Sequence, residues 1–418
     1  MGAAPPGTRL ERSTRFRAGG GLAAGAVYVV SAGFCCWLAA KSAAHFVDLH
    51  VYRLGGRAVL DGTPLYQVLY AKSLPFTYPP AAALVFAVLA VAPWPVTAAL
   101  LTVASAVAFP AALYFALRLP PMPSWLQRGS AARLALVVGA AAIWLEPVRT
   151  TLAYGQVNVL LAVLILYDLS RPDEARFKGA GVGLAAGIKL TPAIFAIYLL
   201  ATRRYRAAAV AAGVFAVTVG AGYVVQPAGS AWYWDMTFLD PQHVGGIQLV
   251  MNQSLLGLIA RVLHTATVSG GWVALVVLTG VAGLALAARA GRAGDDARGF
   301  ALCAVTELLV SPISWTHHWV IAIPALLVAA VAAWRRRTTA PWPAALRPTA
   351  LWIAVMAGIG AIGWSRLVRL VPDSYSRALH LSPLQFVSGD AYVLLGLAAL
   401  AAAAAAAAAG GRASGGVG

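Results

Sequence analysis

The sequence predicts an all-α polytopic membrane protein, on three observations. Sixty per cent of its 418 residues are hydrophobic and 11% are charged, with a mean hydropathy of +0.76. A soluble domain carries about 25% charged residues and cannot bury this much apolar surface, so a soluble enzyme and a disordered chain are both excluded. Second, apolar runs near the ~20 residues needed to cross a bilayer recur along the chain. Third, the basic residues, which give a net charge of +17, fall in short clusters between those runs: Arg9, Arg12, Arg15 and Arg17; Arg203, Arg204 and Arg206; Arg289, Arg292 and Arg298; Arg335, Arg336 and Arg337. Clusters of that kind set membrane orientation and do not suggest a nucleic-acid partner.

Residues 1–20 read as a basic cytoplasmic segment and Gly21–Ala40 as the first span, a retained signal anchor. Residues 41–79 then emerge on the far side. Further spans are expected at 80–92, 95–118, 131–147, 151–169, 178–200, 206–226, 270–289, 299–312, 316–334, 349–368 and 389–410. That makes about 12 transmembrane helices (range 11–14) in one domain over 21–410. The loops 41–79, 227–269, 311–317 and 366–388 face outward, and 411–418 is a flexible tail after a polyalanine run. Strict alternation puts Arg118, Arg128, Arg133, Arg171, Arg176 and Lys178 outside. Breaks at Phe109-Pro110 and at Lys189-Leu-Thr-Pro192 turn two spans into hairpins and restore the positive-inside pattern. The three cysteines, Cys35, Cys36 and Cys303, lie in apolar runs without zinc-ligand spacing and read as buried small residues.

Polar residues that hydropathy does not demand mark the candidate chemistry. Asp48 stands between apolar neighbours where span one leaves the membrane, an expensive place for a carboxylate. Val51, Leu54, Ala58 and Val59 after it approximate helical spacing, with Arg53 and Arg57 together, so an amphipathic helix in the outer headgroup plane is expected. Tyr66, Tyr70, Phe76 and Tyr78 follow. Gln156 and Asn158 interrupt one apolar stretch and Lys189 another; Asn252-Gln253-Ser254 closes the long outer loop, and His317-His318 opens a span. Each alone is accounted for by an aromatic belt or by interhelical hydrogen bonds worth about 1 kcal/mol or less. Together, a carboxylate, a lysine and paired histidines on one side argue for a site. No HExxH, P-loop or GxGxxG pattern is present.

The stretch Phe46-Val-Asp48-Leu-His50-Val-Tyr52 through Arg57 to Tyr66, with Phe76-Thr-Tyr78-Pro-Pro80, resembles the signature of the actinobacterial polyprenyl-phosphate-mannose-dependent α-1,2-mannosyltransferases. Gly155-Gln156-Val-Asn158, Gly187-Ile-Lys189-Leu-Thr-Pro192, Asn252-Gln253-Ser254 and Ser311 to His318 resemble it too, so the likeness runs from about residue 40 to about 335. It implies a GT-C glycosyltransferase fold in the plasma membrane with an extracytoplasmic active site. It also implies a polyprenyl-phosphate-mannose donor, a glycolipid acceptor of the phosphatidylinositol mannoside type, and an inverting transfer with Asp48 as base. GT-C relatives often carry a second acid two residues after the base; His50 stands there, so no metal or other cofactor is expected. An inverting transfer needs one carboxylate to deprotonate the acceptor, and cationic groups for a phosphate leaving group. Lys189, His317, His318 and Arg57 are the candidates for the phosphate. His50, Tyr52, Tyr66, Tyr78, Gln156, Asn158, Asn252 and Gln253 are the candidates for substrate contact. A hydrolase would need two carboxylates, and no convincing second one is evident near Asp48. The partners expected are these two substrates and membrane lipids, with no nucleic acid. A polyprenyl-linked lipid transporter or flippase, or an arabinofuranosyltransferase with a decaprenyl-phosphate donor, would share much of this pattern.

Overall fold

In a computed structural model the chain is described over residues 7–42, 44–67, 69–71, 73–121, 123, 125–235, 245–339, 363 and 366–414. The span expected at 349–368 therefore lies almost wholly outside the described residues. Helices dominate, with one two-stranded antiparallel ribbon pairing Leu69–Tyr70 with Leu74–Pro75.

Among the described residues six helices are long and apolar enough to cross a membrane. They are α1 (Gly7–Ala40, its apolar part Gly20–Ala40), α4 (Trp94–Ala116), α10 (Tyr205–Val225), α13 (Gly270–Arg292), the run Thr316–Arg335 ending in α15 (Ala322–Thr339), and α17 (Ala391–Ser414). A bent pair, α5 (Arg128–Ala142) and α6 (Glu146–Tyr154), turns by 81° and makes a seventh at most. The chain is thus a multi-pass membrane protein. The remaining apolar runs form shorter helices: α3 (Pro80–Val91), α7 (Asn158–Leu169), α8 (Ala180–Ile188), α9 (Ala193–Ala201) and α14 (Asp296–Val310). Hydropathy takes α3, α7 and α14 each as a span and α8 with α9 as one, because an apolar run does not reveal where its helix stops.

The two expected breaks fare differently. α4 runs unbroken through Pro110. A proline ring is tolerated when packing supports the helix on both sides of it, and Phe109, Ala112 and Leu113 are buried. The second break is real. α8 ends where Lys189 becomes extended (φ −145°, ψ 128°), and α9 starts after Pro192. At the base of this hairpin, Asp168 accepts from the N–H groups of Gly179 and Val182. Asp173 pairs with both Lys178 and Arg204, so the chain returns to the level at which it entered.

Charges gather at that end. Arg204 also pairs with Asp296, the Ala297 N–H donates to the Pro120 carbonyl, and Arg335 donates to the Pro121 carbonyl. Basic clusters far apart in sequence thereby share one end of the bundle. The other end lies along the 23 residues of α4, about 35 Å away, where His50 stacks on Trp94 at 3.8 Å. There α2 (Val47–Leu60) lies on α3. Gly56 permits the contact, since a Cβ would stand 2.4 Å from the Phe86 carbonyl oxygen. Arg53 does not face solvent beside Arg57. It donates to the carbonyls of Leu89 and Ala92 and to Thr97, closing the α3–α4 corner.

Candidate active site

The chain enters α2 through two non-glycine residues with left-handed backbone, His45 (φ 44°) and Phe46 (φ 54°). Such residues cost energy and persist only where packing over-determines them. Here the Phe46 N–H donates to the Ala153 carbonyl, tying the start of α2 to the end of α6. The turn after α6 is equally constrained. Gly155 has φ 67°, and a Cβ would sit 2.8 Å from Leu49 Cβ. Only glycine meets both demands, so the Gly-Gln-Val-Asn motif can lie against α2.

The close approach brings Gln156 Nε2 to 2.6 Å from Asp48 Oδ2, as donor. Gln156 Oε1 accepts from the Tyr52 hydroxyl (2.7 Å), and the Tyr78 hydroxyl, 3.3 Å from the same oxygen, donates to the Tyr52 oxygen at 2.8 Å. The amide orientation is thereby set: the phenolic cluster donates to its oxygen, so its nitrogen must face the carboxylate. Burial pushes both tyrosines above the usual phenol range, so they stay protonated as donors. Burial also pushes the Asp48 carboxyl up from 3.8 to about 6, against the Gln156 hydrogen bond and the Lys189 charge. A carboxylate so placed is more basic than a free one yet ionised at neutral pH, which suits proton abstraction.

Lys189, at the tip of the α8–α9 hairpin, donates to Asn158 Oδ1 at 2.8 Å and lies 3.1 Å from His318 Nε2. His317 is buried beside Tyr154, and neither of its ring nitrogens has a hydrogen-bond partner. These groups face a cavity of about 590 Å³ whose wall includes Asp48, Tyr78, Gln156, Lys189, His317 and His318. Residues spread over 270 positions of sequence thus meet in one site, large enough for sugars.

Not every candidate arrives there. Arg57 is exposed and paired with Asp61 at 2.8 Å, away from the cavity wall. His50 is sandwiched between Trp94 and Tyr70. Tyr52 is fully buried behind Gln156, and Tyr66 donates to the Tyr78 carbonyl from outside the wall. Asn158 stands off the cavity wall and touches it through Lys189 and the His317 carbonyl. Asn252 and Gln253 are fully buried scaffolding. Asn252 donates to the carbonyls of Ile247 and Pro312 and accepts from the N–H groups of Ser254 and Ser314. Gln253 accepts from the N–H of Tyr392 and donates to the Val250 carbonyl. Their side chains saturate the backbone of two loops that frame the cavity, a use that composition cannot distinguish from ligand binding. A buried Arg261–Asp390 pair supports the same loops, with Arg261 donating to the carbonyls of Leu249 and Asn252.

The absence of a second carboxylate near Asp48 is corrected by the structure. Glu307 on α14 and Asp373 both line the cavity. Asp373 is engaged by the Val250 N–H at 2.6 Å. Glu307 was legible by the criterion that singled out Lys189, a lone charge within an apolar run, Phe300–Val310. Glu146 is another: buried, it accepts from Thr150, Thr316 and Arg369, bracing the start of α6. Among the described residues, no three His, Cys, Asp or Glu side chains cluster as a metal site.

The family model for glycosyltransferase family 87 matches residues 76–312 of this chain. A polyprenol-phosphate-mannose-dependent α-(1-2)-phosphatidylinositol mannoside mannosyltransferase of Mycobacterium tuberculosis is 34% identical over 380 residues, covering 82% of this chain and 88% of that protein. A polyprenol-phosphate-mannose-dependent α-(1-2)-phosphatidylinositol pentamannoside mannosyltransferase of Mycolicibacterium smegmatis is 40% identical over 291 residues, covering 68% of this chain and 69% of that one. Among solved structures, ArnT from Cupriavidus metallidurans bound to undecaprenyl phosphate aligns with a TM-score of 0.40 at 15% identity, over 90% of this chain and 76% of that one. With more than half of its length matched by the family model and relatives of 34% and 40% identity aligned over most of both chains, this protein belongs to glycosyltransferase family 87.

Proposed function

We propose that the protein transfers mannose from a polyprenyl-phosphate-mannose donor to a phosphatidylinositol mannoside or related lipoglycan, forming an α-1,2 linkage with inversion. The observation that carries the chemistry is one cavity with Asp48 and Lys189 in its wall, at the end of the bundle away from the basic clusters. Asp48 takes the proton of the acceptor hydroxyl as its oxygen attacks C1 of the donor sugar. The C1–O bond to phosphate breaks, and its electron pair leaves with the polyprenyl phosphate. The phosphate gains one negative charge in that step. Lys189, with His318 beside it and His317 nearby, supplies the compensating charge and donors. Gln156 orients Asp48. The sugar and the linkage follow from the relatives' names, and the lipid carriers from the membrane-spanning helices together with those names.

The basic end faces the cytoplasm by the positive-inside rule, which puts the cavity at the extracytoplasmic face of the plasma membrane. Position 50, where a second acid would stand, is a histidine held between two aromatic rings outside the cavity wall. Transfer without a metal fits that arrangement. The deciding experiment is purified protein in nanodiscs with radiolabelled polyprenyl-phosphate mannose and a panel of inositol mannoside acceptors. A labelled product with a new α-1,2 linkage supports the reading. Transfer from decaprenyl-phosphate arabinose in its place, or lipid translocation without transfer, overturns it.

A further inference from the structure

Glu307 has no part in the mechanism above, yet its placement is unusual. It projects from α14 into the cavity wall that holds Asp48 and Lys189, with 8% of its surface exposed. Thr191, at the tip of the α8–α9 hairpin, hydrogen-bonds the carboxyl group. Its Oε2 is buried and has no hydrogen-bond partner. A carboxylate oxygen left unsatisfied is costly, so such groups call for an explanation. Lys189 lies within Coulombic reach of both Glu307 and Asp48. Behind the main cavity is a recess of about 30 Å³, walled by Lys189, Thr191, Glu307, Asn158 and His318 and by no part of α2.

This geometry divides the substrates. In the proposed reaction the donor phosphate lies at Lys189, and the donor C1 is one oxygen away from the phosphorus. The acceptor hydroxyl reaches C1 from the opposite face, where Asp48 waits. A group close to Lys189 that also walls the recess without α2 is placed to meet the donor sugar ring. When ionised, a carboxylate there is a poor partner for a phosphate, since both groups accept and both are negative. Sugar hydroxyls are neutral donors, and a buried carboxylate oxygen is a strong acceptor for them.

We propose that Glu307 is the donor-sugar specificity residue, its free Oε2 accepting a hydrogen bond from a ring hydroxyl of the mannosyl group. The assignment rests on the proposed transferase function and deepens it. A site built to accept from a hydroxyl discriminates strongly against an analogue lacking it, because the buried acceptor is then left unpaired. Loss of a hydrogen bond to a charged group corresponds to roughly 10- to 100-fold in kcat/KM.

The test is a double-substitution cycle on protein in nanodiscs, pairing wild type and Glu307→Gln with polyprenyl-phosphate mannose and with its 2-, 3-, 4- and 6-deoxy analogues. One deoxy donor is expected to cost wild type about 10- to 100-fold in kcat/KM yet to cost Glu307→Gln less than about 3-fold, with the KM for acceptor unchanged. Equal losses in both proteins for all four analogues would overturn the proposal. So would non-additivity confined to deoxy acceptors, which would place the carboxylate on the acceptor. Wild-type failure to use the parent donor is a separate result and sinks the transferase reading itself. If Glu307→Gln does not purify as a folded species, Glu307→Asp enters the same cycle; there the sensitive deoxy position must again lose its penalty, and retention of the full penalty refutes the assignment.

Discussion

Replacing Asp48 by Asn separates catalysis from stability with one atom. Asparagine keeps the shape and still accepts the 2.6 Å hydrogen bond from Gln156, but it cannot take a proton. Loss of a general base costs about 10²–10⁴-fold in turnover. Stability should move the other way. Burial holds the Asp48 carboxyl at about 6 in the fold against 3.8 in the free side chain, so the folded protein disfavours the charged form. Between these values the fold binds more protons than the unfolded chain, so this residue's contribution to stability falls as pH rises from about 4 to about 6. The full effect at pH 7 corresponds to roughly 3 kcal/mol. The carboxylate opens onto the cavity, where water screens it, and about 1–2 kcal/mol is the expected gain for Asp48→Asn. The assay is labelled-mannose transfer beside thermal unfolding in detergent at pH 7 and pH 4. Expected are turnover down by at least 10², a higher midpoint at pH 7, and a difference that vanishes near pH 4. In wild type, kcat/KM should rise with pH through about 6. Turnover within a few-fold of wild type removes Asp48 as base, and a lower midpoint at pH 7 refutes the electrostatic argument.

Further outcomes follow from the same geometry. Lys189→Met should weaken donor use more than acceptor use, by at least 10-fold in kcat/KM for donor; unchanged donor kinetics would leave Lys189 a structural tie to Asn158. Transfer should survive EDTA, and activity lost on chelation and restored by Mg²⁺ or Mn²⁺ would contradict this. Asp390→Asn strips the buried Arg261 of its charge partner and should destabilise by about 3–5 kcal/mol, whereas Arg261→Met with Asp390→Leu should recover much of it, both read from unfolding midpoints. A cysteine at Thr63 should react with an impermeant thiol reagent applied outside intact cells, and one at Glu174, beside the Asp173–Arg204 pair, should not; the reverse pattern would invert the orientation.

The sequence by itself determined the class of molecule. Its charge deficit and apolar runs require a bilayer, and its spaced arginines mark one side of it. Motif spelling singled out Asp48, Gln156, Lys189, His317 and His318, all in the cavity wall, because each is polar where hydropathy asks for apolar. The break at Lys189-Pro192 was legible too, since a lysine and a proline both oppose a continuous span. Composition could not separate polar side chains that face a cavity from those that saturate buried backbone, and Asn252 and Gln253 do the latter. Nor could it show that Arg57 would be spent on Asp61, one helical turn away. Hydropathy also counted α3, α7 and α14 as spans, because an apolar run does not reveal that its helix stops after 12 to 15 residues. Only the tertiary structure decided which carboxylates meet. Asp48 and Glu307 are 259 positions apart, and their common cavity depends on Gly155 admitting α6 against α2 and on the α8–α9 hairpin carrying Lys189 to the same wall. Those contacts are non-local, and no periodicity along one chain encodes them.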